Sequence, residues 1–211
     1  MTVQTASVSL LEVHALTFLR HDLPVFAPQS FSLCAGELVW VEGANGSGKT
    51  TLLRVLAGLL HVGTGTLYWR GKALERDDSA GEILYIGHQL GLKADLTARE
   101  NLRVAAGLHG SRPAMEPSQA LRELGLRGYE DEPVRRLSAG QKKRVALARL
   151  LLLPAALWLL DEPYANLDRV GTTLVNRILG THAAAGGAAL VTTHTAPDAD
   201  DGRWRRIRLG A

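Results

Sequence analysis

The sequence predicts an α/β fold: a mainly parallel core sheet carrying a phosphate-binding loop, interrupted by a helical insertion. Three observations carry this. Gly43-Ala44-Asn45-Gly46-Ser47-Gly48-Lys49-Thr50 has the spacing G-x-x-x-x-G-K-[ST]; the apolar run Leu38-Val39-Trp40-Val41 precedes it, and Thr51 to Ala57, a helical pattern, follows. Ala156 to Leu160 and Ala188 to Thr193 are strand-length runs without polar alternation, the pattern of parallel strands buried on both faces. Between the loop and these runs, from Gly87-His88-Gln89 to about Leu137, the texture is mostly helical.

In chain order, Leu10 to Phe18 and Phe31 to Cys34 read as strands joined through a turn at His21-Asp22-Leu23-Pro24. Gly36-Glu37 turns the chain into the strand before the loop. After the loop helix and the Gly63-Thr64-Gly65 turn come strands over Thr66 to Arg70 and Ile83 to Ile86. Thr97-Ala98-Arg99-Glu100 has capping-box spacing and opens a helix to about Leu108. Met115 to Leu124 is a second helix. Ser138-Ala139-Gly140-Gln141 repeats the capping box and opens a third, stopped by Pro154. A helix over Arg169 to Ala184 precedes the Ala188 strand, and Arg203 to Leu209 reads as an edge strand with its arginines in solvent.

Composition sets outer limits. The chain has 211 residues, 46% of them hydrophobic, enough for a sizeable core. A net charge of +3 suits an anionic membrane surface or a nucleic acid, and equally an ordinary solvated surface. The one cysteine, Cys34, excludes an internal disulfide, suggests a reducing compartment and reads as a small buried hydrophobe. Met1 to Ser9 lacks the pattern of a secretory signal. The most apolar stretch, Leu147 to Leu160, contains Arg149 and Pro154 and is too interrupted to span a bilayer. A soluble chain is expected, with any membrane role exerted through another subunit.

The residue types of the loop specify its chemistry. Gly43, Gly46 and Gly48 permit backbone conformations closed to side chains with a β-carbon, so successive N–H groups of Asn45 to Thr51 can face phosphate oxygens. The helix N-terminus adds its positive end. Lys49 can reach the outer phosphates and the Thr50 hydroxyl can bind Mg²⁺. Asp161 and Glu162 end a buried strand, where side chains face the ligand crevice; Asp161 can bind Mg²⁺ and Glu162 can orient or deprotonate an attacking water. Gln89 and His194 each follow a strand and can touch, respectively, Mg²⁺ with the attacking water and the γ-phosphate. Ser138 is an ordinary N-cap that also offers a hydroxyl and free backbone N–H groups to an anion.

Together these residues resemble the ATP-binding subunits of ABC transporters, over nearly the whole chain from Leu10 to Leu209. Leu137-Ser138-Ala139-Gly140-Gln141 is similar to the family's signature motif, Gln89 to its Q-loop, Asp161-Glu162 to Walker B, Ala165 to Asp168 to the D-loop and His194 to the switch histidine. The resemblance implies a P-loop ATPase with an antiparallel β subdomain, organised as a single domain: an α/β core over 8–88 and 138–211 and a helical subdomain over 89–137. It implies ATP and Mg²⁺ as cofactors. It also implies a head-to-tail dimer in which the P-loop of one copy faces Ser138, Gly140 and Gln141 of the other. Two departures stand out: Ala139 replaces a common glycine, and Arg20 stands where the family usually stacks an aromatic ring on adenine, with Phe18 as a neighbouring alternative. A guanidinium also stacks on a base.

Within the family, Tyr85 to Lys93 followed by Leu96 to Leu102 is similar to the ATPases of haem exporters for cytochrome c maturation. That implies integral membrane subunits as partners, no direct nucleic acid, and a peripheral place on the cytoplasmic face of the inner membrane. The alternatives are another small ABC transporter, or a soluble system acting on nucleic acid. The latter carry a long inserted coiled coil or two P-loops, and this chain has neither pattern.

Overall fold

The computed structural model describes residues 9–74, 81–193 and 204–210. The described residues open with strand β1 (Ser9–Thr17), a short hairpin of β2 (Leu19–Arg20) and β3 (Leu23–Pro24), and β4 (Gln29–Cys34). The expected four-residue turn is shorter. Only His21 and Asp22 turn, with φ of 50° and 62°, while Arg20 pairs with Leu23. Two consecutive left-handed residues match the twist of the strands they join.

Next come β5 (Leu38–Glu42), α1 (Lys49–Leu56), β6 (Thr64–Trp69), β7 (Lys72–Ala73) and β8 (Ile83–Ile86). They are followed by α2 (Ala98–His109), α3 (Pro117–Glu123), a 3₁₀ turn at Val134–Arg136 and α4 (Ala139–Leu152). The chain then forms β9 (Leu157–Asp161), α5 (Arg169–Ala184), β10 (Ala188–Thr192) and β11 (Trp204–Arg208). Both expected capping boxes are formed. Thr97 accepts from the Glu100 N–H and Ser138 from the Gln141 N–H, and each longer side chain reaches back to its cap backbone.

The strands separate by direction into two main sheets. β4-β1-β6-β7 is antiparallel, and β11-β5-β10-β9-β8 is parallel throughout. The unalternating run on β9 has its reason here. Trp158 and Leu160 pack on the side of α2, α3, α4 and α5, whereas Leu157 and Leu159 pack on the side of α1 and the antiparallel sheet. β10 divides likewise, Ala189 and Val191 to one side and Ala188 and Leu190 to the other. Side chains alternate with period two, so two covered faces demand apolar residues at every position. Each fully buried leucine is worth about 1.5–3 kcal/mol.

One expectation holds and one needs correction. Arg206 and Arg208 of β11 are exposed as expected, and each also pairs with Glu42, at 3.5 and 3.1 Å, while the less exposed Arg205 forks onto Glu37 at 3.0 Å through both Nε and Nη2. Parallel pairing with β5 sets Glu42 opposite Arg208. Cys34 is half-buried rather than core, because β4 is an edge strand of the antiparallel sheet.

Candidate functional site

The turn after β5 ends on Gly48, whose φ of 93° starts α1 from the left-handed region; a Cβ there would lie 2.9 Å from the Phe26 ring. A side chain at this position would therefore be strained and also push on the packing beneath the loop. Lys49 is the first helical residue and nearly buried. Its Nζ donates to the carbonyls of Gly43 at 2.6 Å and Ala44 at 3.0 Å, which holds the ammonium inside the curve of the loop. The helix and loop thus concentrate N–H groups and one cation at one spot.

β9 delivers its last residue to the same place. Asp161 is 3% exposed, and its carboxylate accepts from the Thr50 hydroxyl at 2.8 Å and from the Thr192 hydroxyl at 2.7 Å. Three elements, α1, β9 and β10, meet at this carboxylate. Glu162 follows with φ 50°, a left-handed conformation that costs a residue with a side chain on the order of 1–3 kcal/mol. Its backbone is clamped on two sides: its N–H reaches the Thr192 carbonyl at 3.1 Å, and its carbonyl accepts from Lys143 Nζ at 2.8 Å. Lys143 comes from α4 and is 4% exposed. Burial pushes its pKa down to about 8, while the charges of Asp161 and Glu162 hold it up.

A cleft joins these groups: Asn45, Gly46, Gly48, Lys49, Thr50, Thr51, Asp161 and Glu162 line it, together with Arg20, Val25 and His88. Of the two residues expected against a base, Arg20 lines the cleft and Phe18 does not. Phe18 lies outside β1 and packs against the core between the sheets. Gln89 is exposed and off the cleft wall, where its neighbour His88 stands instead. Gly43 and Ser47 form the loop's rear; the Ser47 hydroxyl is buried without a hydrogen-bond partner. His194 lies outside the described residues.

Ser138, Gly140 and Gln141 do not join this cleft. They line a second one with Gly125, Leu126, Arg144, Asn166 and Asp168. Here α4 runs close along the loop between β9 and α5. A Cβ on Gly140 would lie 2.8 Å from the Asn166 carbonyl, and Arg144 Nη2 meets Asp168 at 2.6 Å. That same Asp168 oxygen caps α5 by accepting from the Gly171 N–H at 2.8 Å. Further along α4, Arg149 Nη2 donates to the Leu90 carbonyl at 2.6 Å, tying down the segment after Gln89. Asn101, 6% exposed, pins the same segment by bonding the Lys93 N–H and the Lys93, Leu96 and Thr97 carbonyls.

Sequence reasoning missed Val25, His88, Lys143 and Thr192. Thr192 carries a usable signal, a hydroxyl at the carboxyl end of a buried parallel strand. Lys143 offers none, because α4 mixes polar and apolar residues and only the fold buries this position. For Val25 and His88 the sequence carries no such signal.

The arrangement can seat a polyphosphate on the loop, hold a hard cation between two oxygens, and present a carboxylate beside both. Comparison with known proteins agrees. The model of the ABC transporter family matches residues 26–165. The chain is 57% identical over 202 residues to the cytochrome c biogenesis ATP-binding export protein CcmA of Xanthomonas oryzae pv. oryzae (strain MAFF 311018), covering 96% of this chain and 94% of that protein. It is 44% identical to the protein so described from Vibrio cholerae, over 95% of this chain and 99% of that one. Among solved structures, an ATP-binding subunit of an ABC transporter superposes with a TM-score of 0.82 at 27% identity, covering 96% of this chain and 88% of that one. A dimeric post-hydrolysis ATP-binding cassette, MJ0796 with ADP and Pi, matches in fold with a TM-score of 0.82 at 24% identity, covering 95% and 94%.

Proposed function

The chain belongs to the ABC transporter family, and on that premise we propose that it is the ATP-hydrolysing subunit of a membrane complex that handles haem for cytochrome c maturation. The hydrolytic part rests on one observation above all: Thr50 and Asp161 meet at 2.8 Å on the wall that also carries Lys49 and Glu162. The cargo rests on the extent of the likeness to the cytochrome c biogenesis export proteins.

Each residue has a role that follows from its chemistry. The loop N–H groups from Asn45 to Thr51 and the Lys49 ammonium bind the phosphates of ATP, and Arg20 and Val25 flank its base. The Thr50 hydroxyl and the Asp161 carboxylate supply the oxygen ligands that Mg²⁺ prefers, and would hold it. An ion held there would supply positive charge to the phosphate oxygens. Among the described residues no group of three His, Cys, Asp or Glu gathers to hold a metal. Glu162 accepts a proton from the water that attacks the γ-phosphorus; the bond to the β-phosphate oxygen breaks, leaving ADP and phosphate. Gln89 and His194 report the γ-phosphate to the segments that follow them.

The assembly has three parts. The chain is one ATP-binding domain, with core segments 8–88 and 138–211 and a helical subdomain over 89–137. A second copy packs head to tail, so that Ser138, Gly140 and Gln141 of each face the ATP on the other's loop. The separate cleft around Ser138 supports this reading, since one chain then holds two half-sites. Integral membrane subunits dock beside the Gln89 segment, in an apolar groove that includes Leu92, Leu59, Val104 and Leu108, the last three 57%, 46% and 75% exposed. No helix among the described residues is long and apolar enough to cross a membrane; the likeness to the export proteins supports a peripheral place on the cytoplasmic face of the inner membrane, with no direct nucleic-acid partner. Removal of the gene tests the cargo: c-type cytochromes should lose haem while b-type cytochromes stay intact, with rescue by the wild type and not by Lys49→Ala. Normal c-type cytochromes in a strain with no second copy would refute haem as the cargo.

A further inference from the structure

One face of α4 straps the loop that carries Glu162. Gly140, Lys143 and Arg144 are spaced i, i+3 and i+4, which puts them on one side of the helix. They meet three successive parts of the Glu162–Asp168 loop: Gly140 lies against the Asn166 carbonyl, Lys143 donates to the Glu162 carbonyl, and Arg144 pairs with Asp168. The Lys143 contact differs from the other two. It is buried, and it grips the left-handed residue that presents the carboxylate. Ser138 caps the same helix through a complete capping box, five residues and about 7.5 Å of axial rise before Lys143. A helix turn so capped moves as a rigid piece.

We propose that Lys143 is a positioning residue that ties the Ser138 end of α4 to Glu162, so that a nucleotide engaged by Ser138 sets the backbone of the glutamate serving the chain's own nucleotide. This rests on the reading of Ser138 and Glu162 given above. It adds a route, inside one chain, between the two ATP sites of a dimer. A bare lysine stem would only fill space. A buried ammonium spending a hydrogen bond on a main-chain carbonyl, at a strained residue, fixes orientation.

The test is steady-state ATP hydrolysis by the full chain, with ATP affinity measured alongside by titration. Wild-type turnover abolished by Glu162→Gln establishes the underlying reading; if Glu162→Gln turns over normally, that reading fails by itself. Lys143→Met keeps the apolar stem and removes the donor. It should lower kcat at least tenfold with KM and ATP affinity changed less than threefold, and Lys143→Arg, which restores a charged donor, should recover most of the rate. Should Lys143→Met not fold, Lys143→Leu, which also lacks a donor, takes its place with the same expectation relative to Lys143→Arg. The link to Ser138 is read from Ser138→Ala alone and combined with Lys143→Met: the double variant should lose little more than the worse single one. Lys143→Met turnover within twofold of wild type, or losses that simply multiply in the double variant, would overturn the proposal.

Discussion

The Thr50 hydroxyl donates to the Asp161 carboxylate at 2.8 Å, although 111 residues of chain separate the two. This contact closes the nucleotide site, because it brings the loop at the head of α1 against the end of β9. Thr192 holds the other carboxylate oxygen at 2.7 Å, so Asp161 cannot swing away from the loop. Both carboxylate oxygens are thus held in place within the protein itself.

Lys49→Ala removes the ammonium and its bonds to the Gly43 and Ala44 carbonyls. The expected outcome is loss of ATP binding or turnover with the helical and strand content unchanged. Nucleotide titration combined with circular dichroism checks both halves. A folded variant with undiminished turnover would remove Lys49 from the phosphate site.

Glu162→Gln keeps the size of the side chain and the backbone clamp, and removes the carboxylate proposed as the base. ATP should still bind, hydrolysis should fall by 10²-fold or more, about 3 kcal/mol of barrier, and an ATP-bound dimer should accumulate. Sedimentation with ATP and Mg²⁺ reports the dimer. Wild-type hydrolysis in this variant would assign the base elsewhere.

Arg20 lines the cleft while Phe18, half-buried, packs against the core. Arg20→Ala should therefore weaken ATP about fivefold, about 1 kcal/mol, the scale of an exposed cation–π contact. Phe18→Ala should lower the unfolding midpoint and leave ATP affinity within twofold. The opposite pattern in calorimetry would return the base contact to Phe18.

His182 stacks flat on Trp158, with centroids 3.6 Å apart, and one ring nitrogen lies 3.2 Å from the Ala156 carbonyl. Burial first, and Arg112 second, push its pKa down to about 4. The folded state then binds fewer protons than the unfolded state between that value and the ordinary pKa of about 6.5. Stability contributed by the neutral ring is complete above about pH 6.5 and is lost as pH falls, by about 1.4 kcal/mol per unit in that window. Urea unfolding at pH 7 and pH 5 should show the wild type losing about 2 kcal/mol more than His182→Phe, which stacks without titrating. Equal losses in the two proteins would show that another group governs the acid response.

The sequence by itself determined the local pieces. The glycine spacing from Gly43 to Gly48 forms a phosphate loop wherever a strand and helix flank it. Two capping boxes start α2 and α4 where Thr97 and Ser138 stand, and unalternating runs mark β9 and β10 as covered on both sides. Each of these signals is complete within a dozen residues, because hydrogen bonds and burial periods are local. Only the tertiary structure decided which pieces meet. It set β5 between β10 and β11, so that Glu37 and Glu42 gather the arginines of β11. It turned Arg20 toward the cleft and Phe18 against the core, kept Ser138 out of the loop's own cleft, and aimed Lys143 at the Glu162 carbonyl. The reason is physical. Periodicity records how many faces of an element are covered and what polarity each face prefers. The partner that covers a face is fixed by strand order and helix packing, which join residues far apart along the chain.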